Sequence, residues 1–329
     1  MVGTVLRSGL RGLDWRVPLA LAATYAFFGS GPAGAKAALA SLPPLLLVGV
    51  RGVVAGGLLL GWSLLSGGRP PSLRQWPSSV LIGTLILVLG AGSGTLGQRT
   101  VPSGVAGVLS ALLPLLAACL GYALFRERLP RRALVGLGIG FAGIGLLLRP
   151  GSNLDPFGLL LIALGQVSWA LGAVLAPHVR LPDDPRVAAG AELLSGGGVL
   201  LAAAAATGEL GRFDVGLVTT QSWLGLGWLV VSAVVGFTAY GFLAKTVSSA
   251  VATTFSYVNP VVAIALGWLL FGEPVTARMV LATAVIVAGV CLIISTRSAA
   301  SRRQHPLTSG HGHTITVVSS RTRHRPARS

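Results

Sequence analysis

Charge is what this sequence most lacks. Asp, Glu, Lys and Arg make up only 10% of 329 residues, and just 9 residues are acidic. A chain of this length needs more charge than that to cover a water-facing surface, which excludes an ordinary soluble enzyme. Cysteine is almost missing: Cys119 and Cys291 both lie inside apolar runs, where they read as small packing residues rather than a disulfide or a metal site. The five histidines (His178, His305, His311, His313 and His324) all fall outside the apolar runs. No Gly-x-x-x-x-Gly-Lys-Ser/Thr loop, no Gly-x-Ser-x-Gly elbow and no His-Glu-x-x-His pair occurs, so neither an ATP-driven pump nor an intramembrane hydrolase finds its usual residues here. No cofactor or metal is implied, since His311 and His313 have no fixed third ligand in view.

Apolar residues are what the chain has in excess. The hydrophobic fraction is 53% and the mean hydropathy +0.77. Runs of about 20 apolar residues, the length that crosses a hydrocarbon core, recur along almost the whole chain. Punctuation by Pro, Gly and charge predicts ten helices, at 17–38, 44–66, 79–98, 102–125, 133–149, 156–176, 187–207, 222–243, 248–271 and 276–296. The expected fold class is an all-α membrane protein. Arg7, Arg11 and Arg16 before a short apolar core, with AKAALAS at 35–41, resemble a secretion signal, but the segment is read as a retained helix because YAFFGSGPAGAK (25–36) echoes VSWALGAVLAPH (167–178).

The formal charge is +16, yet the basic residues are not gathered on one amphipathic face among aromatics, which argues against a nucleic-acid partner. They mark orientation instead. With the amino terminus inside, the inner loops collect Arg7, Arg11, Arg16, Arg69, Arg74, Arg126, Arg128, Arg131, Arg132, Arg180, Arg186, Lys245, Arg297, Arg302 and Arg303. The outer loops hold only Lys36, Arg99, Arg149, Arg212 and Arg278. Both termini are therefore expected in the cytoplasm, and residues 297–329, polar and basic, as a disordered tail.

The chain also repeats itself. At a constant offset of 146, Thr100, Val101, Ser103, Ala106, Ser110, Pro114, Gly121, Phe125, Glu127, Arg132 and Gly143 fall on Thr246, Val247, Ser249, Ala252, Ser256, Pro260, Gly267, Phe271, Glu273, Arg278 and Gly289. Matching segments lie five helices apart, and an odd number sends the two copies through the membrane in opposite directions. The expectation is a 5+5 inverted repeat, residues 1–150 and 151–296, with a substrate site near the midplane between the halves.

At VPSGVAGV (101–108), GSNLDPFGLLLIALGQVSWALGAV (151–174), ATTFSYVNPVVAIALG (252–267) and FGEPVT (271–276) the sequence resembles the EamA type of the drug/metabolite transporter superfamily, and within it the YedA-like exporters. The resemblance covers about residues 17–296. It implies ten helices, an inner-membrane location and export of small metabolites or drugs, with coupling to protons or exchange. Relatives commonly carry Trp-Gly-Ser in the first helix, where this chain has Phe28 before Gly29 and Ser30, and an extra Pro32.

Polar side chains in spans are costly unless they face the interior, so they name the site candidates. These are Tyr25, Gln98, Gln166, Trp169, Tyr240, Ser256, Tyr257, Asn259 and Pro260, with Ser93 and Ser110 as further possibilities. Ser256, Asn259 and Pro260 share a stripe with Ala252 and Ala263, and Pro260 frees a carbonyl near Ser256. Arg51 is read as snorkelling before it is read as a counter-ion for an anionic substrate. Glu127 and Glu273 are read as structural, capping the next helix and pairing with Arg132 or Arg278. Glu192 is the carboxylate best placed to carry a proton. Gly52, Gly56, Gly57, Gly61, Gly136 and Gly140 are expected to pack helices within the chain, a homodimer being the lesser reading. The expected function is a secondary exporter of amino-acid-like or amphipathic compounds, whose partners are the small-molecule substrate and the bilayer. An intramembrane enzyme, or a channel or scaffold binding lipid through the basic tail, is the alternative.

Overall fold

The computed structural model describes residues 14–126, 130–147, 154–247, 249–252 and 254–304. Glu127, Arg128, Arg149 and the His-containing tail beyond 304 lie outside the described residues. In chain order the helices are α1 (Arg16–Gly29), α2 (Gly31–Ala38), α3 (Pro44–Leu65), α4 (Trp76–Gly83), a π-helical segment (Thr84–Gly92), α5 (Ser93–Gly97), α6 (Ser103–Ser110), α7 (Leu113–Phe125), α8 (Arg131–Leu147), α9 (Pro156–Leu175), α10 (Pro185–Ala206), α11 (Thr220–Thr246), α12 (Ser249–Ala252), α13 (Phe255–Phe271) and α14 (Ala277–Gln304). No strand occurs among the described residues. The stretches Pro44–Leu65, Trp76–Gly97, Ser103–Phe125, Pro156–His178, Pro185–Ala206 and Thr220–Leu243 are long and apolar enough to cross a membrane; Phe255–Phe271 and Ala277–Leu292 are shorter apolar helices. The chain is an all-helical, multi-pass membrane protein.

Local chemistry explains the ends. Pro44, Pro156 and Pro185 stand at the first helical position, where a missing N–H costs nothing. Asp155, Asp184 and Thr219 accept from the first free N–H groups of α9, α10 and α11. Pro32 ends the first expected helix early, between Gly29 and Gly31, and Pro114 splits the fourth at Ala111–Leu112. Pro260, by contrast, sits inside an unbroken α13, so the expected break there is moved to the turn at Thr254. Helix α14 continues to Gln304, past the expected end at 296, through the strong helix formers Ala299, Ala300, Arg302 and Arg303.

Packing is dominated by α3 on α10 and α8 on α14, pairs that occupy matching places in the two sequence repeats, and by α6 of the fourth expected span on α13 of the ninth. Glycines set the distances. A Cβ on Gly56 would meet Leu194 N at 2.6 Å and Gly190 O at 2.8 Å, and one on Gly197 would meet Val53 N at 2.6 Å and Gly49 O at 2.9 Å. The two sets are related by an offset of 141 with the partners exchanged: adding it to 56 gives 197, and subtracting it from 194 and 190 gives 53 and 49. Gly143 against Ala282 O and Ile286 N, and Gly289 against Gly136 O and Gly140 N, repeat the relation at an offset of 146. Gly57 and Gly61, on the same helix as Gly56, face open space instead.

Candidate functional site

Two faces of α1 and α11 meet α13 in a cluster of rings. Phe28 on α1 is 5.1 Å from Phe255, 5.8 Å from Phe237 and 6.5 Å from Tyr240, and Tyr240 stands edge-on to Phe255 at 5.8 Å. The edge-to-face arrangement is the favoured one for aromatic quadrupoles. Phe28 gains its place from Gly236, whose missing side chain leaves Phe28 Cε1 only 2.5 Å from where a Cβ would be. Tyr25, one turn before Phe28, shares a 2.7 Å hydrogen bond with the Thr254 hydroxyl at the turn between α12 and α13. Asn259 follows Phe255 by one turn of α13, and its Oδ1 is buried with no hydrogen-bond partner. An amide oxygen left so costs about 1–3 kcal/mol, which makes Asn259 a candidate to accept from a ligand or a water.

A second group forms on α9. Gln166 and Trp169 are half-buried beside the π-helical segment. A Cβ on Gly165 would stand 2.6 Å from Gly90 O, the Ser168 hydroxyl donates to Leu85 O at 2.9 Å, and the Trp169 ring comes within 3.5 Å of the Gly90 Cβ position. A wide turn of this kind leaves main-chain carbonyls without their usual helical partner, a feature frequent at functional sites. Gln98 closes α5, with Nε2 donating weakly to Gly94 O at 3.5 Å and Oε1 buried without a partner.

The candidates are not all gathered. Ser256 and Pro260 are buried, on the stripe of α13 whose Ala263 abuts Gly107 of α6. Tyr257 points elsewhere: its hydroxyl donates to Val290 O of α14 at 3.5 Å, in the core built by α6, α7, α8 and α14. None of the nine lines the groove of about 800 Å³ between α2, α11 and α13, which is walled by Ala33, Gly34, Gln221, Trp228, Leu266 and Phe271.

The profile of the EamA-like transporter family matches residues 15–149 and again 156–295. The chain belongs to this family. Its EamA relatives include the uncharacterized inner membrane transporter YedA of Escherichia coli (strain K12), 38% identical over 278 residues, which are 83% of this chain and 89% of the relative. The uncharacterized transporter YvbV of Bacillus subtilis (strain 168) is 27% identical over 277 residues, 81% of this chain and 87% of the relative. One solved crystal structure shares the EamA-like chain's fold, with a TM-score of 0.61 at 21% identity over 84% of this chain and 96% of the other.

Several contacts of this EamA chain were not foreseen. Glu273 does not cap the helix that follows it. Its carboxylate accepts from Ser103 N (2.8 Å), Ser103 Oγ (2.9 Å) and Gly104 N (2.9 Å) at the start of α6, and lies 3.9 Å from Lys36 Nζ. The free N–H groups of a helix start favour a carboxylate, and those of α6 are the ones that Glu273 caps. Glu209 similarly accepts from Leu45 N and Leu46 N at the start of α3. Phe237 and Phe255 carry no polar atom and so escaped a search for polar intramembrane residues; the family departure at Phe28 was the one visible hint. Arg51 and Glu192 were seen singly, but each stands seven residues past the proline that opens its 22-residue helix, so they occupy matching places in α3 and α10. Outside the spans, the Thr100 hydroxyl and then the Gly158 N–H hold the Asp155 carboxyl below its ordinary range. At Asp184, burial acts to raise the carboxyl, and the Arg186 hydrogen bonds outweigh it to leave a net lowering.

Proposed function

We propose that this EamA-like chain is a secondary transporter that exports small amphipathic metabolites or drugs by alternating access. Ten spanning segments form two inverted halves, residues 1–150 and 151–296, followed by a basic tail on the cytoplasmic side. The reciprocal glycine contacts of α3 with α10 carry this reading. Contacts that exchange partners at a fixed offset are what a two-fold relation between repeats produces. Two matching helices that run antiparallel across such a relation belong to halves of opposite topology.

The substrate lies between the two groups of candidates, with Phe28, Tyr240, Phe255 and Asn259 on one side and Gln166 and Trp169 on the other. Rings accept an apolar body, and the unpartnered Asn259 oxygen supplies the polar contact. Glu192 carries the coupling proton, and the chain is a carrier rather than an enzyme. Cysteine labelling in intact cells tests the topology: Arg99→Cys is modified from outside and Lys245→Cys only after permeabilisation. Reaction of both from one side sinks the inverted arrangement. In proteoliposomes, Glu192→Gln is expected to keep substrate exchange and lose proton-driven flux. Proton-driven flux that survives this change removes Glu192 from the coupling path.

A further inference from the structure

Arg51 stands seven residues into α3, about 10 Å along the helix from its start at 1.5 Å per residue. It lies on the stripe of Val48 and Ala55, three and four residues away, which faces the core made with Leu87, Ala189, Leu193 and Ala233. Phe237 packs against that same core and meets Phe28 at 5.8 Å, so the cation and the ring cluster border one region. The Arg51 Nε is buried with no acceptor, and Arg51 takes no part in the ion pairs of Lys36 with Glu273 and Arg186 with Asp184. Nε is enclosed while the side chain as a whole is half-buried, so the outer part of the guanidinium reaches accessible space that a ligand can enter. An uncompensated intramembrane cation faces a cavity or a ligand.

We propose that Arg51 is the anion-recognising residue of the transport cavity, and that the cargo carries one oxyanion group, a carboxylate or sulfonate, on an apolar body. The inference rests on the transport reading above. The guanidinium offers a planar fork of donors that fits two oxygens of such a group, and the rings of Phe28, Phe237, Tyr240 and Phe255 accept the body. A single cation selects a monoanion: a dianion brings one charge too many into the bilayer, a neutral isostere leaves the fork unfilled, and a cation is repelled.

The test uses the full chain in proteoliposomes with four probes that share a ring: benzenesulfonate, 1,3-benzenedisulfonate, benzenesulfonamide and benzyltrimethylammonium. Protein-dependent flux is expected to favour benzenesulfonate at least tenfold over the others. Arg51→Gln and Arg51→Met abolish that preference, and Arg51→Lys retains part of it. The melting temperature of Arg51→Met separates a structural role from a binding role: loss of an unpartnered charge leaves it unchanged or raises it, and benzenesulfonate raises it only in the parent protein. A preference for the amide or the ammonium probe, or undiminished benzenesulfonate flux through folded Arg51→Gln, overturns the inference while leaving transport intact. Absence of flux for all four probes, with no shift in melting temperature, counts against the transport reading and this inference together.

Discussion

The segments that begin at Ser103 and Ser249 share much of their sequence and diverge in structure. In the first, α6 stops at Ser110, the chain makes tight bonds from Ala111 N to Val108 O and from Leu112 N to Leu109 O, and Pro114 sits in the first turn of α7. In the second, α12 ends at Ala252, Thr254 forms the turn, and α13 passes straight through Pro260. The same proline is therefore not sufficient by itself to fix the break. Thr254 is held by the Tyr25 hydroxyl, a bond from α1, while its counterpart at the offset of 146 is Val108, fully buried and without a polar side chain. The repeat specifies a scaffold, and single polar residues decide where that scaffold opens.

The scaffold half of this comparison is broken most forcefully at the glycines. Gly56→Leu and Gly197→Leu each drive a side chain into backbone of the partner helix and are expected to cost about 3 kcal/mol. Their sequence neighbours Gly57 and Gly198 meet nothing within 4 Å, so the same change there stays within about 0.5 kcal/mol. Chemical denaturation in mild detergent measures all four. Equal losses at Gly56 and Gly197 sharpen the equivalence of the halves, and a loss at only one of them breaks it.

The functional half is broken at Asn259, whose counterpart in the first copy is Leu113. Asn259→Leu makes the second copy resemble the first. Because the Asn259 oxygen has no partner to lose, stability is expected to hold or rise, while transport falls about tenfold, equivalent to ~1.4 kcal/mol. Unchanged flux with unchanged stability would show that the polar cluster is not the site.

A smaller difference lies at the ends of the same helices. Arg126 and Gly272 both adopt left-handed backbone, at φ 55° and 61°, one turning with a side chain and the other without. Arg126→Gly is expected to stabilise by about 1 kcal/mol, whereas Gly272→Arg destabilises by a similar amount. Thermal shift on the purified pair decides whether the two turns are equally constrained.

How much of this could be read beforehand follows the same division. The spans as a whole, the offset of 146 and the packing glycines Gly52 and Gly56 were legible, because bilayer thickness and close approach act through composition and spacing, whereas Gly57 and Gly61 were expected to pack and face open space. The break at Thr254, the π-helical turn beside Trp169 and the reach of Glu273 to Ser103 were not. Each depends on a contact between residues far apart in the chain, and no local pattern encodes it. Tyr257 shows the limit for single residues: it neighbours Ser256 in sequence, yet one step along a helix turns a side chain by about 100°, which takes it into the α14 core. The ring cluster stayed hidden for the opposite reason, since phenylalanine in a span looks like any lipid-facing residue until its neighbours are known.

The smallest expected effect compares the entrances to the two halves. Asp155 opens α9 and accepts from Thr100 Oγ1 at 2.6 Å, Gly158 N at 2.8 Å and Phe157 N at 3.3 Å, whereas Asp14, before α1, accepts among the described residues from Arg16 N at 3.1 Å. Those bonds, the Thr100 hydroxyl first, favour the ionised Asp155 and set its folded value below that of the unfolded chain. The unfolded state then binds the proton more readily, so the contribution to stability is fully present above the ordinary aspartate range, about pH 4, and is lost as the pH falls through the lower folded value. Asp155→Asn should therefore lower the melting temperature at neutral pH by more than Asp14→Asn does. The gap between Asp155→Asn and the parent protein should close on acidification, read by melting curves from neutral pH down to about 3. A gap that does not vary with pH would mean that Asp155 contributes through hydrogen-bond geometry alone, and that its charge plays no part in seating the second half against Thr100.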